Sequence, residues 1–288
     1  MVEVGALAEL WRYPVKSMLG ERVAGSEVTV HGLPGDRGLA LVDRESGKIA
    51  SAKAPRLWRG LLRCSAVLDE RDAPGDAGAV RIEIPGGKPL WSTDSDVDDV
   101  LSAYVGRPVR LADSPPAEAT LDRSLPEQVL AEGVDAQVDA ALVTIGSGTP
   151  PGGGFVDFAP LHLITTSTLE HIAELSPRGA VEVRRYRPNL VLRTSGRGFV
   201  ENDWLGRELR IGERLRLKVI ARTPRCAIPT LEHGTLPRDA AALRTLAAHN
   251  RLPAMDQLPA EPCAGFYAQV LEPGRIMPGD TVLCQSGE

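Results

Sequence analysis

Short alternations of apolar and polar residues, each ended by glycine or proline, are the feature that most restricts the fold of this chain. The segment "LGRELRIGERLRLKVIART" (205–223) is typical, because it alternates through an Ile-Gly-Glu turn and so predicts a β-hairpin. With 29 glycines and 23 prolines in 288 residues, turns recur too often for long helices. The sequence therefore predicts an α+β fold, mainly β with some α, in two β-barrel-like domains.

The same pattern divides the chain into three parts. Residues 1–112 are rich in predicted strands and end in a helix predicted at 94–106, with Ser95 as a possible N-cap. Residues 113–155 carry little periodic signal and are predicted to be a linker and a flexible loop. Residues 156–288 are predicted to form the second domain.

Several local structures are predicted in more detail. A strand is expected at 61–70, and a helix with a capping box of Ser167 and Glu170 is expected in the second domain. A later helix at 236–251 carries Leu243 and Leu246 on one face. Two strands around a Pro-Gly turn are expected near the C-terminus, and Trp204 is expected to pack in the core.

Composition excludes several classes of protein. No apolar run approaches the roughly 20 residues that a bilayer span requires. The first residues include an early acid and no cleavage-like site, so the chain is expected to be cytoplasmic and free of membranes. A net charge of −5 argues against nucleic-acid binding. The four cysteines are scattered, without a CxxC pair, so we expect free thiols and neither a zinc nor an iron–sulfur site.

Charge is unevenly distributed along the chain. Residues 66–140 hold 16 acidic and 6 basic side chains, a balance of −10, whereas residues 178–225 hold 13 basic and 5 acidic ones, a balance of +8. This basic segment has two interpretations. It is either alternating charge on exposed strand faces or the wall of a pocket for a compact anion.

One cysteine stands in an unusual context, "RTPRCAIPTLEHGT" (222–235). Prolines on both sides of Cys226 restrict the backbone, and Arg222 and Arg225 supply positive charge that favours a thiolate. A thiolate could be a nucleophile, with His233 the nearest candidate base, or a metal ligand. A buried thiol without a function is the alternative.

Three further segments carry groups suited to an anionic ligand. Lys16 and Ser17 in "YPVKS" could converge on a phosphate, although an exposed turn has the same pattern. Arg37 begins a strand in "GDRGLALVD", where a surface arginine is the alternative. Arg187 and Asn189 flank a proline in "RYRPNLVL" and suit a heterocycle with carbonyl, amine and phosphate groups.

In this order, the segments resemble the MOSC family (molybdenum cofactor sulfurase C-terminal domain) with its companion N-terminal β-barrel domain. The layout is similar to that of the amidoxime reducing components and their bacterial relatives. The matching segments span nearly the whole chain: "WRYPVKS", "GLPGDRGLALVD", "RYRPNLVL", "FVENDWLGRELRIG", "PRCAIPT", "LRTLAAHNR" and "GFYAQVLEPGRIMPGDTV".

The resemblance implies a molybdenum–molybdopterin cofactor whose metal is bound by Cys226, which is then also the catalytic residue. Pyridoxal phosphate binding is a second association that we carry as an expectation. The positions implied to contact the molybdenum cofactor are Lys16, Ser17, Arg37, Phe158, Ala159, Pro160, Arg187, Asn189, Pro224 and Arg225.

The implied activity is the reduction of small N-hydroxylated compounds, with electrons from separate ferredoxin- or cytochrome-type donor proteins and a reductase. Two departures bear on the substrate. Thr223 stands where the reductases often carry another cysteine, and "TLEHGTL", with Glu232 and His233 as weak proton-donor candidates, replaces an Asp-Pro-containing run. A cofactor carrier or sulfur-transfer protein without turnover, and a metal-free cysteine hydrolase or transferase, are the alternative hypotheses.

Overall fold

The computed structural model describes residues 1–69 and 78–286. About 20% of the chain is helix and 36% is strand, which confirms the predicted mainly β class. The strands are β1 (Val2–Arg12), β2 (Glu21–Val23), β3 (Ser26–Val28), β4 (Ala40–Asp43), β5 (Ser65–Leu68), β6 (Val80–Glu83), β7 (Leu90–Trp91), β8 (Val109–Ala112), β9 (Thr120–Ser124), β10 (Ala140–Thr144), β11 (Leu161–Thr165), β12 (Leu190–Thr194), β13 (Glu208–Ile211), β14 (Leu215–Pro224), β15 (Arg251–Pro253), β16 (Ala260–Glu272), β17 (Gly274–Ile276) and β18 (Thr281–Cys284).

The helices are short, as the glycine and proline content predicts. They are α1 (Pro55–Trp58), α2 (Val97–Val105), α3 (Pro126–Glu132), α4 (Thr166–Leu175) and α5 (Ala241–His249). Single 3₁₀ turns occupy Arg59–Arg63, Val183–Arg185, Val200–Trp204 and Ile228–Thr230.

Seven strands close into a barrel in the order β11, β12, β1, β18, β13, β14, β16 and back to β11. Strands β11 and β12 pair in parallel, and α4 forms part of the connection between them. The other pairs in the ring are antiparallel. The first strand of the chain thus lies between two strands of the C-terminal half. The outer strands β2 and β15 extend the sheet from β1 and β16.

Alternation of side chains builds the barrel core. In β14 the residues Leu215, Leu217 and Val219 are buried and the intervening Arg216 is exposed. The register pairs Ile211 with Leu215, which confirms the predicted hairpin. Trp204 packs against Phe266 with ring centroids 5.6 Å apart, and this confirms its predicted core position.

The N-terminal part has its own core and its own small sheets. Strands β5, β6 and β7 form one sheet and β4 pairs with β8. Met18, Leu41, Trp58 and Leu61 are buried together between these strands and α2. The turn that leaves β1 therefore connects the barrel to a second hydrophobic cluster, and it is at this junction that the candidate site lies.

The segment predicted as a linker and loop contains regular structure. Strands β9 and β10 pair in register from Thr120↔Thr144 to Ser124↔Ala140, with α3 between them. Residues of this hairpin border the cavity described below. The division of the chain at 112 and 155 stays a prediction.

Two predicted helix caps are wrong. The N-cap of α4 is Thr165, which ends β11 and accepts a hydrogen bond from the Thr168 N–H, whereas Ser167 donates to the Gly196 carbonyl. The N-cap position of α2 is Asp96, not Ser95, and it makes no side-chain capping bond. In both cases the sequence offers several polar candidates in succession, and the tertiary contacts select among them.

The remaining local predictions are partly right. The helix predicted at 236–251 begins only at Ala241, but Leu243 and Leu246 are buried as expected. The strands β16 and β17 meet at Pro273 and Gly274, the predicted Pro-Gly turn, but they do not pair with each other. Strand β17 pairs with β3 instead. Of the strand predicted at 61–70, only Ser65–Leu68 forms a strand. Glu70, at the end of that prediction, lies outside the described residues, and so do residues 287–288 of the predicted second domain. Within the described chain, none of the helices combines the length and the apolar character of a membrane span.

Candidate functional site

A cavity of about 280 Å³ lies at the junction of the barrel, the N-terminal cluster and the β9–β10 hairpin. Nearly all of the predicted site residues line it, although they come from segments far apart in sequence. Pro160 is the exception: its carbonyl carbon and oxygen face Gly32 instead. The predicted residues that line the cavity are Lys16, Ser17, Arg37, Phe158, Ala159, Arg187, Asn189, Pro224, Arg225 and Cys226.

Backbone hydrogen bonds hold the turn after β1 against the cavity. The Lys16 N–H donates to the Leu39 carbonyl at 2.8 Å, and the Ser17 hydroxyl accepts from the Ala52 N–H at 3.0 Å. The Lys16 ammonium donates to the Phe155 carbonyl and to Asp157, each at 2.7 Å. Lys16 and Ser17 are both buried, so the predicted alternative of an exposed turn does not hold.

Two arginines share one aromatic ring at the inner end of the cavity. The guanidinium carbons of Arg37 and Arg187 lie 4.8 and 4.4 Å from the centre of the Tyr13 ring. Arg37 also donates to the Arg187 carbonyl at 3.2 Å and pairs closely with Asp36. Burial lowers the pKa of Arg187 to about 10, and the neighbouring Arg37 adds to that shift. This end of the cavity therefore concentrates positive charge in a low-dielectric setting.

The backbone is strained at three of the predicted residues. Ser17, Arg37 and Arg187 have φ angles of 66°, 48° and 53°, in the left-handed region that favours glycine. Each such residue costs about 1 kcal/mol or more relative to a relaxed backbone. Strain of this kind is concentrated in proteins where side chains must be aimed at a functional site.

Asn189 joins the ends of three segments. Its side-chain oxygen accepts from the His162 N–H at 3.1 Å and from Arg37, and its amide nitrogen donates to the Trp11 carbonyl. Most of its hydrogen-bonding capacity is thus used inside the protein, although the residue borders the cavity. Asn189 fixes the positions of β1 and β11 relative to Arg37.

His162 faces the cavity from β11. Its Nδ1 lies 3.3 Å from the Arg187 carbonyl and its Nε2 lies 3.4 Å from Arg225. Burial, and then the charge of Arg225, hold the pKa of His162 well below its usual value, so the ring is neutral at pH 7. Close packing requires a glycine opposite, because a Cβ on Gly265 would lie 2.7 Å from Nε2.

Cys226 occupies the turn that follows β14. One side of the residue packs against Leu62, Val129 and Ile228, while the other borders the cavity that contains Lys16 and Arg187. The Arg225 N–H donates to the Pro262 carbonyl at 2.8 Å, which ties this turn to β16. The residue is 7% exposed and borders the cavity, so it has little contact with bulk solvent.

A fully buried arginine supports the loop beyond Cys226. Arg185 donates to the carbonyls of Pro229, Leu231 and Pro237 at 3.3, 3.1 and 2.8 Å. Its Nε pairs with Glu182 at 2.5 Å. One side chain thus holds three carbonyls of the loop, in addition to the loop's own backbone hydrogen bonds.

A carboxylate between two lysines lies at the outer part of the cavity. Asp157 Oδ1 is 2.7 Å from the Lys16 ammonium and 3.1 Å from that of Lys53. Burial lowers the pKa of Lys16 to about 8 against the opposing effect of Asp157. Burial opposes ionisation of Asp157, but Lys16 and Lys53 outweigh it and hold the pKa of the carboxyl well below its usual range.

Among the cavity residues that sequence reasoning missed are Lys53, Arg123, Asp157, His162 and Tyr267. Asp157 directly precedes the predicted Phe158, so its position was the most accessible to prediction. Lys53 and Arg123 lie in segments without a motif, and only the tertiary fold brings them to the cavity.

The predicted proton-donor candidates lie elsewhere. Neither His233 nor Glu232 lines the cavity; His233 is buried with its Nδ1 3.0 Å from the Leu231 carbonyl, and Glu232 is exposed.

The basic segment is divided between the cavity and the barrel surface, and its role as the wall of an anion pocket stays a prediction. Arg187, Arg222 and Arg225 line the cavity. Arg214 lies in the exposed turn before β14 and Arg216 on an exposed face of β14, where they pair with Glu272 and Glu208. The alternation of charge thus accounts for the barrel surface, and the pocket accounts for the residues next to the turns.

The cavity wall fits an anionic group. Among the described residues, both terminal nitrogens of Arg187 and the Nε of Arg225 are buried without a hydrogen-bond partner, and so is the Thr223 hydroxyl. A buried guanidinium without an acceptor is costly, and an anion in the cavity would supply one. The donor set therefore suits the phosphate of a pterin cofactor, with the Cys226 thiol in the same cavity available to a metal.

Comparisons with known proteins identify the family of the chain. The MOSC domain matches residues 152–283 and the MOSC N-terminal beta barrel domain matches residues 4–102. Mitochondrial amidoxime-reducing component 1 of Mus musculus is 25% identical over 315 residues, which cover 97% of this chain and 82% of that protein. The predicted resemblance is thereby confirmed.

Two solved structures resemble the chain more distantly. The YUAD protein from Bacillus subtilis has a TM-score of 0.48 at 9% identity, with 99% of this chain and 97% of that chain covered. YiiM from Geobacillus stearothermophilus has a TM-score of 0.32 at 18% identity, with 58% of this chain and 73% of that chain covered.

The MOSC domain is associated in its family with the molybdenum cofactor. Pyridoxal phosphate binding and a cytoplasmic location stay predictions. With a MOSC N-terminal beta barrel domain followed by a MOSC domain, the chain belongs to the MOSC family.

Proposed function

We propose that this protein is a molybdenum-cofactor-dependent oxidoreductase that reduces small N-hydroxylated compounds. The observation that carries the proposal is the pair of unpartnered, buried Arg187 nitrogens in the cavity that also contains the Cys226 thiol. The 25% identity to an amidoxime-reducing component supports the reaction class. The reaction consumes two electrons and two protons: R–NHOH + 2 e⁻ + 2 H⁺ → R–NH₂ + H₂O.

The residues fall into two roles. Arg187, Arg37 and Arg225 would hold the cofactor's phosphate and pterin, because their guanidinium groups offer directed N–H donors in a buried setting. Cys226 would bind the metal through its sulfur. When bound, the molybdenum cofactor supplies a two-electron redox couple and a Lewis acid for the N–O oxygen.

The chain's own groups would manage charge and protons around that chemistry. Lys16, with a pKa of about 8, is protonated at pH 7 but releases its proton more readily than an ordinary lysine. Its contact with Asp157 Oδ1 holds the ammonium against the cavity wall. The neutral His162 ring adds no positive charge beside Arg225, so both residues can remain close together.

The electrons would come from separate proteins of ferredoxin or cytochrome type with their reductase. The nearly enclosed Cys226 is consistent with this arrangement, because water and adventitious oxidants have little access to the sulfur. We propose a cytoplasmic protein without nucleic-acid or membrane partners.

The proposal is tested with protein expressed with ample molybdate. Molybdenum is measured by mass spectrometry and the pterin by fluorescence after oxidation. Reduction of benzamidoxime is assayed with reduced viologen as an artificial electron donor. We expect stoichiometric metal and turnover in the wild type, and retained pterin without turnover in Cys226→Ser. Cys284→Ser is the matched control, since this buried thiol lies on the barrel strand β18 and not at the cavity.

Two results would contradict the proposal. Molybdenum-loaded wild type that reduces no N-hydroxylated probe would favour a cofactor carrier or sulfur-transfer protein. Wild type without molybdenum under these conditions would leave a metal-free cysteine hydrolase or transferase.

A further inference from the structure

Two cations of the cavity stand apart from the arginines that surround Tyr13. Lys53 lies between β4 and α1, and Arg123 lies in β9. The Ser124 N–H donates to the Lys53 carbonyl at 3.0 Å, so the backbone holds the two residues side by side. Both side chains line the cavity, and they reach it from the N-terminal part and the hairpin, not from the MOSC domain strands.

Their charges act on the end of the cavity that contains Cys226. Burial works against the Lys53 ammonium, but Asp157, Tyr267 and Cys226 together raise its pKa. Burial likewise opposes the Arg123 charge, while Glu261 and then Cys226 raise its pKa. The pKa values of the inner arginines Arg37 and Arg187 respond to Tyr13, Asp36 and Asp157. The cavity thus has two cationic groups, one around Tyr13 and one beside the thiol.

The cationic group beside the thiol consists of Lys53 and Arg123, together with Lys16, which shares Asp157 with Lys53. It can still bind an anion. Lys16 and Lys53 share a single carboxylate oxygen of Asp157, which leaves one positive charge over. Arg123 donates through one terminal nitrogen to Glu261, and its remaining N–H donors are not used by described residues. Asp157 is the one carboxylate among the described residues that line the cavity, and Glu261 pairs with Arg123 from outside that lining. These two acids face three cations, so one positive charge remains without a carboxylate partner.

We propose that Lys53 and Arg123 select substrates that carry a carboxylate as well as the N-hydroxylated group. The proposal rests on the proposed function and deepens it. The two side chains would bind the carboxylate by charge-assisted hydrogen bonds, so that the N–O group is oriented toward Cys226. The apolar Met255 and Leu258 at the same cavity would contact the body of such a substrate. A cationic substrate of the same shape would be repelled.

The test uses three matched substrates: benzamidoxime, its 4-carboxylate and its 4-trimethylammonium derivative. For the loaded wild-type protein we expect kcat/KM to be about tenfold higher for the carboxylate than for the neutral compound, as a charge-assisted contact predicts, and lowest for the cation. In Lys53→Met, Arg123→Gln and the double variant, the ratio of the carboxylate to the neutral compound should fall toward one. Because the ratio is taken within one preparation, it is independent of the active fraction.

Two surface substitutions serve as controls. Lys48→Met removes a lysine that pairs with Asp122 outside the cavity, and Arg216→Gln removes an arginine that pairs with Glu208 on the barrel surface. Each changes the net charge as much as the corresponding cavity variant does. Both should keep the wild-type substrate ratio.

A binding measurement separates this inference from the proposed function. The affinities of 4-carboxybenzamide and benzamide for wild type and the double variant are compared by ligand-observed NMR, which needs no turnover. Reduction of benzamidoxime without preference for the carboxylate would overturn the inference and leave the function intact. A preference that persists in the double variant would overturn the assignment to Lys53 and Arg123. If none of the three compounds is reduced, the proposed function fails. In that case the binding measurement still tests the inference, and equal affinity of wild type for the two benzamides would overturn it.

Discussion

Arg185 is predicted to contribute more to stability than any surface arginine of this protein. The side chain is completely buried, donates to three carbonyls of the loop after Cys226 and pairs with Glu182. In Arg185→Leu these carbonyls lose their charged donor, although Glu182 keeps its partner Arg178. A buried acceptor left without its donor costs about 1–3 kcal/mol, and three carbonyls lose this donor, so we expect a loss of about 3–5 kcal/mol in urea unfolding.

Arg185 Nε also lies 4.0 Å from Asp239. Arg178→Gln is the matched control, because Arg178 pairs with the same two carboxylates, Glu182 and Asp239, from a far more exposed position. It should cost much less than Arg185→Leu. Equal losses in the two variants, or a loss under about 1 kcal/mol in Arg185→Leu, would refute the view that carbonyl satisfaction by Arg185 holds the loop. Cofactor content measured on the same samples should fall with Arg185→Leu, since the loop adjoins the Cys226 turn.

Two further variants test the electrostatics of the interior. Arg187→Met removes a buried cation whose terminal nitrogens have no partner. The free energy of unfolding of the cofactor-free variant should therefore equal that of wild type or exceed it by about 1 kcal/mol, and the variant should no longer bind the pterin. A marked destabilisation would contradict this. Burial lowers the pKa of His233 to about 3, so the folded state keeps it neutral while the unfolded chain binds a proton below about pH 6.5. Stability is therefore lost as the pH falls below that value, and His233→Gln should reduce the slope between pH 6 and 5 by about 1 kcal/mol per pH unit in urea titrations; an unchanged slope would contradict the assignment.

The local patterns of the sequence were sufficient for the strands and for much of the cavity. Period-2 alternation in 205–223 fixes which side chains of β13 and β14 face the barrel interior, so the hairpin and its register follow directly. The motif residues Lys16, Arg37, Arg187 and Cys226 meet at one cavity because each lies in a turn next to a strand end. Turns at strand ends are where a rigid scaffold presents functional groups.

Other features depend on contacts that no local pattern encodes. The hairpin of β9 and β10 has weak alternation and an exposed Leu142, so its segment is indistinguishable from a linker in sequence. Arg123 and Lys53 reach the cavity only because this hairpin packs beside the turn after β4. The cap of α4 was misassigned for a similar reason: Thr165 and Ser167 are equivalent by composition, and only the end of β11 decides between them.

The position of β1 in the barrel ties the two ends of the polypeptide together. During synthesis, this strand leaves the ribosome well before its neighbours β12 and β18, which begin at Leu190 and Thr281. The barrel can close only after β18 has been translated, and until then the apolar side chains of β1 can take part in aggregation. A fragment that contains the C-terminal domain alone would lack β1, one of the seven barrel strands, and would expose the unpaired edges of β12 and β18.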